Sequence, residues 1–279
     1  MARVRSVARM PVLRGMLSWL GLAVVCLVIA GAGSVGCGGA PPPDDLPSPT
    51  ALPPQADRDR LAGLAAAAKD RRYVATYTLS APKRPNRTVT VAVATDGSWV
   101  VAVPAGALSG LTDIAMFFSA AGLFQCALGP AAGSGGLRPD LPRVTPGCVR
   151  LGKLTAAIDP RVHHLFTDWI DPLVDRETAL SVAAAAALPG SRGACYSVES
   201  NSAALAPPVD PGIYCYDTDG TLTAARLGFG TLTLTGAVAP APPSVTMPGP
   251  VLNRAPLPMT APPPPPTPTA TPVASPSAR

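Results

Sequence analysis

From residue 57 to residue 234 the apolar positions follow two alternating periods, one of 3.6 residues and one of 2. In Asp57–Lys69, Leu61, Leu64, Ala65 and Ala68 fall at i, i+3, i+4 and i+7, which predicts an alanine-rich amphipathic helix. The period then drops to 2. Tyr73, Ala75, Tyr77 and Leu79 alternate with Val74, Thr76 and Thr78, and Val89, Val91 and Val93 alternate with Thr88, Thr90 and Ala92. Asp96-Gly97 turns the second of these strands into a third, Trp99–Val103, with the residues of a type I′ hairpin. Ile114–Leu128 carries Ala120, Ala121 and Gly122 at its centre between β-favouring Phe117, Phe118, Leu123 and Phe124, and reads as another hairpin. A second helix is predicted from Asp159 as N-cap and Pro160 as first residue, with Val162, Leu165, Phe166, Trp169 and Ile170 on one apolar stripe, a polar opposite face, and Pro172 interrupting the run. Thr178–Leu188 is an alanine run with no decisive period. Three further strands follow, Ala194–Glu199, Ile213–Tyr216 and Leu222–Leu234, the last interrupted near Gly228 and Gly230, and Asp219-Gly220 repeats the earlier turn chemistry. The pattern predicts an α+β domain in which an antiparallel sheet packs on two or more helices.

Neither end of the chain fits that domain. Arg3, Arg5, Arg9 and Arg14 precede an uncharged run, Gly15–Gly36, whose centre, Leu20–Ala30, is continuously small or apolar, the arrangement of an export signal. The run ends Ser34-Val35-Gly36-Cys37, which resembles a bacterial lipobox; the resemblance implies a lipidated Cys37, although Ser34 stands where that motif usually has Leu or Val. The 22 uncharged residues would also span a bilayer as an uncleaved anchor. Either way the domain is expected outside the cytoplasm, tied to the outer face of the cytoplasmic membrane. Gly31, Gly33 and Gly36 spell G-x-G-x-x-G, but an export segment precedes them and Pro41–Pro43 follow, so no βαβ unit and no dinucleotide site is read there.

Composition sharpens these boundaries. Of 36 prolines, 7 lie between Pro41 and Pro54 and 15 between Pro240 and Pro276, segments that cannot carry helix interiors or central strands. The expected organisation is a signal peptide at 1–36, a proline-rich tether at 37–55, the folded domain at 56–236 and a disordered proline-rich tail at 237–279. The formal charge of +5 comes largely from the four leading arginines; the rest of the chain holds 18 basic and 17 acidic residues. Without a basic stripe interleaved with aromatics, no nucleic-acid partner is expected.

Setting aside Cys26 in the apolar run and Cys37, four cysteines remain: Cys126, Cys148, Cys195 and Cys215. An even number in an exported domain reads as disulfides. Three connectivities exist; the sequential one, Cys126 with Cys148 and Cys195 with Cys215, joins segments that read as neighbouring strands. No C-x-x-C spacing occurs and no His lies near these cysteines, so zinc is not read from them.

Motifs of chemistry are sparse. His163 and His164 are the only histidines, and as helix neighbours they would point about 100° apart, so they are read as part of a solvated polar face rather than as joint metal ligands. His164 and Asp168 have i, i+4 spacing, but two ligands do not make a site. Ser80 and Lys83 spell S-x-x-K, with Pro82 opposing the helix that motif needs; Asp217, Asp219 and Gly220 resemble a calcium loop without its glycine and glutamate in register. No catalytic residues, cofactor or metal are predicted, and the chain is read as a non-enzyme.

The element order resembles that of the lipoprotein-carrier (LolA-like) half-barrel group. Gly193–Glu199 (GACYSVE), Pro211–Gly220 (PGIYCYDTDG) and Phe229–Leu234 (FGTLTL) look like segments of uncharacterised actinobacterial lipoproteins. The resemblance implies a curved antiparallel sheet, a half-barrel, whose apolar face and helices hold acyl chains. A lipid or other apolar ligand is then expected against the stripe of Leu165, Phe166, Trp169 and Ile170. The alternative is an envelope lipoprotein that is structural or binds cell-wall or envelope proteins, the same stripe filling its core.

Overall fold

A computed structural model of the chain describes residues 54–132, 144–201 and 207–261. The expected signal peptide, Cys37, the tether up to residue 53 and the tail from residue 262 lie outside the described residues.

The described residues start with helix α1 (Pro54–Asp70). A meander follows: β1 (Tyr73–Ser80), β2 (Arg87–Val93), β3 (Trp99–Ala107), β4 (Thr112–Ser119), β5 (Gly122–Pro130) and β6 (Gly147–Arg150). A crossover carries a 3-10 segment (Val162–Phe166) and the short helix α2 (Ile170–Val174). The second meander is β7 (Leu180–Ala185), β8 (Ala194–Ser200), β9 (Gly212–Tyr216), β10 (Leu222–Leu227) and β11 (Gly230–Pro240). The undecided alanine run is thus strand, as β7. The eleven strands among the described residues form one open antiparallel sheet in the order β6-β5-β4-β3-β2-β1-β11-β10-β9-β8-β7, the two meanders meeting where β1 pairs with β11. The helices are few and the sheet dominates. Because β6 and β7 lie at opposite edges, the segment between them must cross the whole sheet, and its apolar side chains cover one face. Among the described residues no helix is long and apolar enough to cross a membrane.

Alternation decides what lies on each face. The larger cluster takes Tyr73, Ala75, Tyr77 and Leu79 of β1, Val89 and Val91 of β2, and Tyr214 and Tyr216 of β9, packed under Leu61 and Ala65 of α1 and Leu165 and Leu173 of the crossover. The opposite face carries two smaller clusters, one around Phe117, Phe124, Cys126 and Cys148 and one around Leu188, Cys195, Cys215 and Ala224. Each holds a disulfide, Cys126–Cys148 between paired residues of β5 and β6 and Cys195–Cys215 between paired residues of β8 and β9. The sequential pairing is the one formed.

Both Asp-Gly turns are present and alike. Ala94 N–H donates to Ser98 O and Gly97 N–H to Ala94 O, as Asp217 N–H does to Thr221 O and Gly220 N–H to Asp217 O. Only the glycines, Gly97 at φ +85° and Gly220 at φ +82°, enter the left-handed region; Asp96 and Asp219 do not, so neither turn is the expected type I′. Instead Asp96 and Asp219 accept hydrogen bonds from the N–H of Ser98 and Thr221. A Cβ at residue 220 would lie 2.3 Å from the Ala68 nitrogen, so Gly220 also lets this turn approach the end of α1.

The domain does not stop near residue 236. Strand β11 runs to Pro240, and residues 241–261, expected to be disordered, are bonded to the domain along their length. Pro242 and Pro243 carbonyls accept from the N–H groups of Thr95 and Asp96, and Val245 and Met247 pack on the Phe117 cluster. Val251 then bridges Cys148 in parallel, Cys148 N–H donating to Pro250 O and Leu252 N–H to Cys148 O. Past that edge the chain reaches the other face: the Gln125 amide, 2% exposed, donates to Leu257 O at 2.9 Å and accepts from Leu257 N–H at 2.6 Å, as a strand neighbour would. Leu108 and Ser109 N–H donate to Pro258 and Met259 carbonyls. The tail is therefore a strap around edge strand β6, supplying partners to an edge that would otherwise stay open.

Candidate functional site

The crossover is where the sequence expectation and the structure differ most. The stripe of Val162, Leu165, Phe166, Trp169 and Ile170 does face the core, but not on one continuous helix. Val162–Phe166 is 3-10, Thr167 leaves helical space at φ −133°, ψ −112°, and α2 starts only at Ile170. Pro172 does not end the run. It sits in the first turn of α2, where its missing N–H would have no partner anyway. Asp159 turns the chain before the 3-10 segment, its carboxylate accepting from Arg161 N–H at 2.7 Å.

Of the expected solvated face, Asp168 and Asp171 are exposed but the two histidines are not. His163 is 2% and His164 8% exposed, because the segment is covered on both sides. Their rings lie 4.0 Å apart; His163 stacks on Trp99 at 5.9 Å and His164 on Trp169 at 5.0 Å. His164 is held at both ring nitrogens, Nδ1 by Asp168 at 2.6 Å and Nε2 by Asp159 at 2.8 Å. His163 Nδ1, 3.8 Å from Asp159, has no hydrogen-bond partner. Burial opposes a charge on His164, but the two carboxylate hydrogen bonds outweigh it and raise the ring to about 9. Burial and the neighbouring charged ring push His163 down to about 4. Burial also acts against the Asp168 carboxylate, yet the His164 bond prevails and lowers it to about 2.

A pH dependence follows from these directions. Unfolded, both rings titrate near 6.5; folded, one proton stays on His164 up to about pH 9 and a second enters His163 only near 4. Between about 6.5 and 9 the folded chain holds the extra proton, so raising the pH removes stability. Between about 6.5 and 4 the unfolded chain holds it, so lowering the pH removes stability, and Asp168 adds a further loss below about 3.8. The melting temperature of the wild type minus that of a His163→Gln/His164→Gln variant is expected to peak near pH 6.5; a difference that climbs steadily to pH 9 would contradict the arrangement.

Two clefts flank the crossover. The smaller, about 270 Å³, lies beside the end of α1, with Val93, Trp99, Leu165, Phe166, Ile170 and Leu222 as apolar wall and Lys69, Arg71 and Arg72 together with Asp168 and Asp171 as its charged lining. Tyr216, 1% exposed, borders it with a hydroxyl that has no hydrogen-bond partner. The larger, about 440 Å³, lies on the other flank, between Asp159, Arg161 and Val162 on one side and Arg84, Arg87, Phe229 and the strap residue Met259 on the other. Of the four residues expected at a ligand, Leu165, Phe166 and Ile170 border the smaller cleft. Trp169 does not; it is stacked on His164 with Arg161 over its ring at 5.7 Å. All four are buried, at 2%, 7%, 7% and 7% exposure for Leu165, Phe166, Trp169 and Ile170.

The chain matches no protein-family model and no curated protein.

The S-x-x-K pair is not assembled. Ser80 Oγ donates to Asn86 Oδ1, and Lys83 sits in a turn at φ +59°. Asp219 of the calcium-like loop is engaged by Thr221 and by Arg71 at 2.9 Å. The residues that sequence reading passed over are Asp159 as hydrogen-bond partner of His164 and near neighbour of His163, Arg58 and Gln125. For Asp159 the signal was present, since it stands four residues before His163 and five before His164.

Proposed function

We propose that this protein is an exported lipoprotein, anchored through Cys37 to the outer face of the cytoplasmic membrane, whose sheet curves as a half-barrel of the lipoprotein-carrier kind and binds one apolar chain or small amphiphile. The cleft beside α1 carries the reading. It combines an aromatic and aliphatic wall with a rim of mixed charge, Lys69, Arg71 and Arg72 beside Asp168 and Asp171, and an unpartnered hydroxyl, groups that can orient an acyl chain by its polar head. Its volume stands just under the usual range of about 300–1,000 Å³ for ligand sites, which favours a single chain over a two-chain lipid. Arg71, lying 5.8 Å over the Tyr73 ring and paired with Asp219, is placed to meet an anionic head.

The second reading is an envelope lipoprotein that binds no small molecule and meets cell-wall or envelope proteins. It draws support from the near-complete burial of Leu165, Phe166, Trp169 and Ile170. Native mass spectrometry of the full chain, extracted from a lipid-rich host, and titration with a fluorescent fatty acid separate the two. Binding is expected to be saturable at one equivalent. Tyr216→Phe should weaken it by about 2- to 10-fold, one hydrogen bond's worth, while leaving the melting temperature level or higher, because the hydroxyl it removes is unpartnered. No retained ligand and no saturable binding would overturn the first reading in favour of the second.

A further inference from the structure

We propose that Asp159, His163 and His164 form a binding site for a divalent transition-metal ion, zinc above all, with Asp168 positioning one of the ligands. The inference does not require lipid binding: the three ligands lie outside the lining of the smaller cleft, which only Asp168 borders.

The donor atoms are already gathered: one ligand atom from each of the three residues lies within 4.8 Å of the other two. Around a tetrahedral zinc with bonds of about 2.0–2.1 Å to nitrogen, neighbouring donors stand about 3.3 Å apart. The Asp159 carboxylate is 2.8 Å from His164 Nε2 and 3.8 Å from His163 Nδ1, so it spans that spacing with its two oxygens. Small side-chain adjustments bring all three onto one ion.

Two observations point to a metal rather than to a self-sufficient hydrogen-bond network. The first is His163 Nδ1, which is buried and has no partner. An orphaned polar atom in the interior costs about 1–3 kcal/mol, and a coordinate bond at that atom removes the cost. The second is the orientation of His164. Its Nδ1 faces Asp168 at 2.6 Å, which directs Nε2 at Asp159. A metal-binding imidazole is commonly held in this way, the second nitrogen giving its proton to a carboxylate that fixes the ring and raises its basicity. On binding, the ion replaces the proton between His164 Nε2 and Asp159, and that proton leaves to solvent.

Two nitrogens and one carboxylate exclude calcium and magnesium, which take oxygen donors, and suit zinc and its neighbours. Three protein ligands leave a fourth position for water. Asp159 borders the 440 Å³ cleft, which supplies the route from solvent. The local irregularity has a role here. The turn at Asp159 folds its carboxylate back onto the segment, and the two histidine rings, whose bonds to the backbone diverge, lie 4.0 Å apart beside it.

The test uses the mature protein in detergent, with any thiol left unlipidated alkylated so that none competes, stripped with chelator and titrated with zinc chloride alone. One equivalent is expected at micromolar or lower concentration, and cobalt in its place should give visible bands of a nitrogen- and oxygen-bound ion. Asp168→Asn, which keeps every proposed ligand, should weaken binding by about 10- to 100-fold. His163 and His164 are the only histidines, so ring signals in nitrogen-edited NMR of the unmutated chain report on this site alone. Zinc should move both sets. Binding that leaves the ring signals in place, or no stoichiometric binding, overturns the proposal.

Discussion

Ending the chain at Pro240 is expected to lower the melting temperature by about 10–20 °C, although the segment removed carries none of the periodicity of a core element. The strap's joints are buried and specific. Without Leu257 the Gln125 amide, 2% exposed, keeps only its bond to Ile158 O at 3.2 Å, and its buried oxygen is left without a donor, at a cost of about 1–3 kcal/mol. Val245 and Met247 leave the Phe117 cluster, and the Cys148 N–H and C=O lose Pro250 and Leu252. Together these amount to about 5 kcal/mol, and each kcal/mol moves the midpoint of a domain this size by about 2–4 °C. Gln125→Met isolates one joint and should cost about 2 kcal/mol. A shortened chain that melts within about 2 °C of the intact one would show that the strap contributes no stability.

Arg58→Met is expected to cost about 3 kcal/mol and to loosen the crossover. Arg58 is 8% exposed, and its guanidinium donates to the carbonyls of Leu173 at 3.1 Å, Pro172 at 2.9 Å and Asp175. It therefore satisfies the C-terminal end of α2 from a residue in α1, a charge-assisted cap on a helix too short to hold itself. Burial lowers the guanidinium from its usual range, with Asp175 and Asp59 opposing that shift, so the charge is retained. The methionine fills the space but leaves the carbonyls unpaired. Arg58→Lys should recover little, since one ammonium cannot reach three acceptors held in a fork. Urea unfolding reads the loss directly, and because α2 places Ile170 at the cleft, fatty-acid affinity should fall in the same variant. Stability within about 0.5 kcal/mol of the wild type would contradict the cap.

The strands were legible because their determinants are local. Alternation set which residues of β1, β2 and β9 face the core, Asp-Gly placed two turns, and an even set of cysteines in short neighbouring strands pointed to the pairing that forms. Even the turn geometry failed only in detail, because Asp-Gly supplies one left-handed residue readily and a second only at a cost. At the crossover the i, i+3, i+4, i+7 pattern marked the apolar side chains correctly but not the backbone between them. Covering both sides of the segment buried His163 and His164, and only that long-range packing brought them to Asp159.

The strap was invisible to the sequence for a related reason. Proline has no N–H to donate and breaks regular elements, so its density reads as absence of structure. Its carbonyl still accepts, and Pro242, Pro243, Pro250 and Pro258 each take a hydrogen bond from a backbone N–H of the domain. Periodicity along the chain thus determines which residues can be buried. What covers the second side of the crossover and the open edge of β6 is decided by which distant segments present matching donors and acceptors, and that exists only once the sheet has formed.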